Sequence, residues 1–107
     1  MSTDNKRKKG DLAALLVKST GGQVTLGKLI EAIRLGEEMT QPEFSKLLGI
    51  SKSHLNDIEK GRKAVSPERA AKFAKILKYS TDRFVSLALQ ALVDQAGLKL
   101  QVEVRAA

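Results

Sequence analysis

The sequence predicts an all-α domain, a bundle of five short helices followed by a short C-terminal β-strand. Three observations carry this expectation. Five segments open on Ser or Thr and then repeat apolar residues at helical spacing. Three of these segments run out at a glycine, Gly49, Gly61 and Gly97. Beyond Gly97 the period changes to two, as Leu98, Leu100, Val102 and Val104 alternate with Lys99, Gln101, Glu103 and Arg105.

In chain order, residues 1–10 are polar and charged after Met1 and are expected to form a disordered basic tail. Residues 11–24 are expected to form a short helix and linker. Asp11 caps a turn or two reaching Lys18, with Leu12, Leu15 and Leu16 on one face, and Ser19-Thr20-Gly21-Gly22 breaks it. The domain proper spans residues 25–97. Thr25 caps the first of its helices, Leu26 to about Gly36, with Leu26, Leu29, Ile30 and Ile33 at i, i+3, i+4 and i+7. Thr40 caps the second, which carries Pro42 in its first turn and ends at Gly49. Ser51 caps the third, which ends near Gly61. Ser66 caps the fourth, with Pro67 at its first position and Ala70, Phe73, Ala74 and Leu77 as its buried stripe. Ser80 or Thr81 opens the fifth. Residues 98–107 hold the strand. A lone strand in a helical chain leaves its ladder unpaired, so pairing with the same strand of a second copy is expected.

Composition narrows the function. Nineteen Lys and Arg against 12 Asp and Glu give a formal charge of +7, an excess that attracts polyanions, nucleic acid first among them. There is no cysteine, which removes disulfides, thiolate catalysis and Cys-ligated zinc. The longest apolar run, Leu12 to Val17, is too short to span a bilayer. Lys6-Arg7-Lys8-Lys9 before it looks like the start of a signal peptide, but Lys18 follows with no cleavage site, so export is not expected. The expected location is the cytoplasm.

The segment from Gln41 to Lys60 carries the functional signal. Phe44, Leu48, Ile50, Leu55 and Ile58 are apolar where two helices would face each other and the core. Ser45 is small where the second helix passes closely, and Gly49 stands at the turn. At about 100° per residue, Leu55 and Ile58 define the inside of the third helix. Lys52, Ser53, Asn56, Asp57 and Lys60 then fall outside. These short polar side chains suit a major groove: Lys52 toward guanine, Asn56 toward adenine, Asp57 toward cytosine N4, with Ser53 versatile. Lys52, Ser53, Asn56 and Asp57 are the expected base-reading set. Thr40 and Gln41 lie at a helix N-terminus, which favours phosphate. With Ser51 at the next helix start, and Lys60, Arg62 and Lys63 at the exit of the third helix, they form the expected phosphate set. His54, the only histidine, lies between the inner face and the outer one, in a packing or phosphate-contact position. Ser53 and His54 leave the helix about 100° apart, which argues against a triad with Asp57. No paired carboxylates, metal-ligand cluster or P-loop spacing occurs elsewhere. Neither an enzyme nor a cofactor or metal is expected.

The stretch "MTQPEFSKLLGISKSHLNDIEKGRKAVSPERAAKFAKIL", Met39 to Leu77, resembles the lambda-repressor/Cro-like family, also called the XRE family. With the flanking helices, the resemblance covers about Leu26 to Gln95. It implies a compact five-helix bundle that binds double-stranded DNA. It also implies that Gln41 contacts phosphate, that Lys52, Ser53 and Asp57 occupy reading positions, and that Arg34 forms a structural ion pair with Glu59. Asp57 departs from the Gln or Arg commoner at its position.

The fifth helix is apolar on more than one face, which implies a second surface and hence a homodimer. Leu89, Leu92 and Val93, continued by Leu98, Leu100, Val102 and Val104, are the expected interface. A terminal strand after such a bundle is similar in layout to antitoxins of the HigA and HipB kind, which implies an autorepressor that also binds a cognate toxin. A stand-alone repressor, or a protein-interaction module with DNA binding secondary, are the alternatives.

Overall fold

The computed structural model describes residues 24–107. The basic tail expected over 1–10, the helix expected from Asp11 to Lys18 and the break that follows it lie outside the described residues. Within them the order is α1 Leu26–Gly36, α2 Gln41–Leu48, α3 Lys52–Glu59, α4 Pro67–Leu77 and α5 Thr81–Gln95.

Each helix opens on a hydroxyl. Thr25, Thr40, Ser51, Ser66 and Ser80 sit in extended backbone, and each side-chain oxygen accepts the N–H of the third helical residue. At the fifth helix it is Ser80 that caps, accepting from Arg83 N–H at 3.2 Å. At α2 the cap is reciprocal: Glu43 N–H donates to Thr40 Oγ1 at 3.2 Å while Thr40 N–H donates to Glu43 Oε1 at 2.9 Å. Helix ends are equally uniform. A left-handed residue follows each one, and the next N–H folds back to the last turn, as in Ile50 N–H to Ser45 O at 3.0 Å. Glycine fills this position after α2, α3 and α5. After α1 and α4 it falls to Glu38 (φ 58°) and Lys78 (φ 60°).

One core gathers the inward faces. Phe44, Phe73 and Phe84, from α2, α4 and α5, are fully buried together with Leu29, Ile30, Leu55 and Ile58. Each such side chain contributes about 1.5–3 kcal/mol by leaving water. The pair α4–α5 makes the broadest contact, and α1 lies across both α3 and α5. Of the expected inner set, Phe44, Leu48, Leu55 and Ile58 are buried and Ile50 is half-buried at the turn. Ser45 is buried and donates its hydroxyl to Pro42 O at 3.0 Å.

The C-terminal strand is a correction. Residues 98–107 form no ladder, because a strand needs a neighbouring strand and the described residues of this one chain offer none. The segment lies instead along α5, where Gln90 Nε2 donates to Leu100 O and Gln90 Oε1 accepts from Val102 N–H, both at 2.8 Å. The expected interface is divided accordingly. Leu89, Val93, Val102 and Val104 are half-buried within their own chain, whereas Leu92, Leu98 and Leu100 are 46%, 51% and 60% exposed.

Candidate nucleic-acid interface

Two helices of eight residues each, α2 and α3, meet through the turn at Gly49 and Ile50. Leu55 and Ile58 anchor α3 from beneath, so its orientation is set by the core. Lys52 and Ser53 are exposed, Asn56 and Asp57 are half-buried beside them, and Lys60 closes the helix exposed. The arrangement presents five short or flexible polar groups from a rigid support, with both donors and acceptors among them.

A buried polar network sets the pose of this helix. Arg34, from the last turn of α1, donates Nε to Glu59 Oε2 at 2.8 Å and Nη2 to Glu59 Oε1 at 3.1 Å. Its third bond runs from Nη1 to Met39 O at 3.0 Å. The side chains of Arg34 and Glu59 are 11% and 3% exposed. Glu59 holds the Arg34 guanidinium above its usual pKa through this hydrogen-bonded contact. Gln41 completes the network, donating Nε2 to Glu59 Oε1 at 2.9 Å and to Asn56 Oδ1 at 3.1 Å. Three helices are thereby tied at one point, and the Asn56 carboxamide is fixed with its amino group turned away from Gln41.

Several phosphate candidates change character in this geometry. The Gln41 side chain points inward, so what it leaves for an anion is its backbone N–H. Pro42 has no N–H, and those of Thr40 and Glu43 are used by the capping box, so the first turn of α2 keeps the Gln41 amide alone among the described residues. Ser51 Oγ accepts from His54 N–H at 3.0 Å and keeps its own proton for an external acceptor. Arg62 Nε lies 3.0 Å from Asp57 Oδ1, in a pair exposed by 57% and 30%. A residue expected to read bases and a residue expected to contact phosphate are thus partners in this chain. Lys60 and Lys63 are exposed and make no ion pair among the described residues.

Three contributors escaped the sequence reading. Arg69, in the first turn of α4, brings Nη1 to 3.2 Å from His54 Nδ1. With Lys63 it builds a cationic edge beside α3. Burial, then the charges of Arg69 and Lys63, push the His54 imidazole below its usual pKa, with Asp57 opposing. A basic residue at a helix N-terminus runs against the dipole, which is the signal that marks Arg69. Glu43 was passed over as a capping partner, although Thr40-x-x-Glu43 is a capping-box spacing. Gly27 is the third. A Cβ there would overlap the carbonyl oxygen of Ile58, so α1 crosses directly on the last turn of α3. A glycine inside a helix costs about 1 kcal/mol, and that local cost is its signature.

Among the described residues, no group of three or more His, Cys, Asp or Glu side chains is placed to hold a metal ion. No helix among them is long and apolar enough to cross a membrane. Neither the curated proteins nor the solved structures contain a match to this chain. A family model described as Helix-turn-helix does match, over residues 30–84, just over half of the chain and the whole of α2 to α4. The chain therefore belongs to the XRE-type helix-turn-helix family, a family of DNA-binding domains.

Proposed function

We propose that the protein is a dimeric, sequence-specific transcriptional regulator that acts in the cytoplasm and inserts α3 into the major groove. The observation that carries this is the exposed polar face of α3, held by the Arg34–Glu59–Gln41–Asn56 network and rimmed by cations. Lys52, Ser53, Asn56 and Asp57 read bases. The Gln41 amide, the hydroxyls of Thr40 and Ser51, and Lys60, Arg62 and Lys63 bind phosphates. The domain is residues 25–97, and residues 98–107 serve dimerisation. Within this class the reading is an autorepressor and the antitoxin of a toxin–antitoxin pair. Support for it comes from the layout, a C-terminal segment that follows the DNA-binding bundle and lies along α5.

The test is fluorescence anisotropy with duplex from upstream of the protein's own coding segment against a scrambled duplex, over several salt concentrations. A specific preference of ~10³-fold or more is expected, with a salt slope reporting several phosphates. Ser53→Ala and Asn56→Ala are expected to cost about 1–3 kcal/mol on the specific duplex only. Equal affinity for both duplexes would refute autorepression. Unchanged preference in both variants would refute the reading face.

A further inference from the structure

We propose that Gln90 sets the C-terminal segment as an intersubunit strand, leaving its outer edge to pair antiparallel with the same segment of a second copy about Gln101. The proposal rests on the dimeric regulator above and assigns its register. Gln90 bonds Leu100 O and Val102 N–H, both at 2.8 Å. Those are the two groups, one on each side of Gln101, that a residue of a parallel neighbouring strand would take. The same carboxamide donates its second hydrogen to Asp94 Oδ1 at 2.9 Å, which fixes which end is oxygen. One side chain of α5 thus stands in for a strand.

The geometry of extended backbone does the rest. With the main-chain groups of Leu100 and Val102 turned to α5, those of Lys99, Gln101 and Glu103 face the other way. None of these three has a backbone hydrogen bond among the described residues. An open edge of this kind is a template for another chain. The side chains then choose the occupant. When the segment pairs antiparallel with itself about Gln101, Lys99 of each copy stands opposite Glu103 of the other. Leu100 stands opposite Val102, and Leu98 opposite Val104. Sliding by two residues sets Lys99 or Glu103 against the neutral Gln101 and loses both ion pairs, and sliding by four sets Lys99 against Lys99 or Glu103 against Glu103. Sliding by one requires the edge that Gln90 occupies. Glu103 is held only by Arg105 at 3.4 Å, in a pair 85% and 79% exposed, so its carboxylate is free to change partner. The exposed Leu98 and Leu100 gain cover in the same step.

The test is sedimentation equilibrium on the full chain. Lys99→Glu and Glu103→Lys each place like charges opposite one another twice by symmetry and should weaken the dimer about tenfold. The double variant restores the opposition in reverse and should return to within about threefold of the parent chain. Gln90→Leu, with its helical circular dichroism intact, should weaken the dimer as well. A parent dimer indifferent to the single charge changes, or a double variant no better than the worse single, would overturn the register while leaving the dimer in place. An unchanged constant in Gln90→Leu would overturn the role of Gln90. A parent chain that stays monomeric at high micromolar concentration would overturn both the pairing and the dimeric reading.

Discussion

Replacing Glu59 with Ala tests how α3 is held. Glu59 is 3% exposed at its side chain and accepts three hydrogen bonds, two from Arg34 and one from Gln41. Truncation leaves the Arg34 guanidinium in place with Met39 O as its one remaining hydrogen-bond partner and the Glu31 charge nearby, and Gln41 with Asn56. Breaking a buried pair from one side costs about 3–5 kcal/mol, because a desolvated charge is left behind. Arg34 is 11% exposed, so water reaches it in part, and the lower end, about 3 kcal/mol, is the value expected here.

Urea unfolding followed by circular dichroism measures this directly, with the slope unchanged between variants. The double replacement Arg34→Met with Glu59→Leu removes both charges and should recover to within about 1 kcal/mol of the parent chain. A Glu59→Ala cost below about 1 kcal/mol would refute the reasoning, since that is the worth of an exposed pair. A double variant as unstable as the single would show that shape, not charge, is what Glu59 supplies.

Two further outcomes are expected from the same scaffold. Gly27→Ala should destabilise the domain by about 1–3 kcal/mol in the urea assay, despite alanine's better helix propensity, because its Cβ meets the backbone of Ile58; a stabilised variant would contradict the close approach. His54 has its folded-state pKa below the usual 6.5, so the unfolded chain binds more protons in that range. Stability contributed by neutral His54 is therefore complete above about pH 6.5 and falls as pH drops below it. His54→Gln should flatten that part of the stability–pH curve, and an unaltered curve would show that His54 titrates normally.

Much of the fold is visible in the chain because local chemistry and tertiary placement agree. The hydroxyl at the start of every helix, the proline inside α2 and α4, and the glycines after α2, α3 and α5 each satisfy a backbone need that arises within a few residues. The ends of α1 and α4 are less visible, since Glu38 and Lys78 take left-handed backbone that sequence alone does not assign to them. The outward face of α3 follows from periodicity, but the partners of its members do not. Gln41 reaches Glu59 across 18 positions and Asn56 across 15, and only the packed bundle brings them within 3.1 Å. The surroundings of the C-terminal segment are less legible for a related reason. Alternation states which residues share a face, and says nothing of what lies at the edge. Here a side chain, Gln90, occupies the place where a backbone was expected.

The Asp57–Arg62 pair joins two separately proposed roles into one coupled system. Unbound, the carboxylate and guanidinium satisfy each other at 3.0 Å, and their exposure makes the pair cheap to open. In the proposed complex duplex DNA would change the balance, because Arg62 would gain phosphate while Asp57 would enter the same negative field. Arg62→Ala then does more than remove one phosphate contact: it leaves Asp57 without its nearest cation beside the DNA. Loss of the contact lowers the salt slope by about 0.9. The bare carboxylate adds a repulsion that Asp57→Asn in the same chain removes. On a scrambled duplex, where Asp57 reads no base, the double variant should therefore bind more tightly than Arg62→Ala alone, with the same reduced slope. Affinities of the four proteins, measured by anisotropy at two salt concentrations, complete the cycle. A double variant no tighter than Arg62→Ala would show that Asp57 stands clear of the DNA field, and α3 would then have to enter the groove by another face.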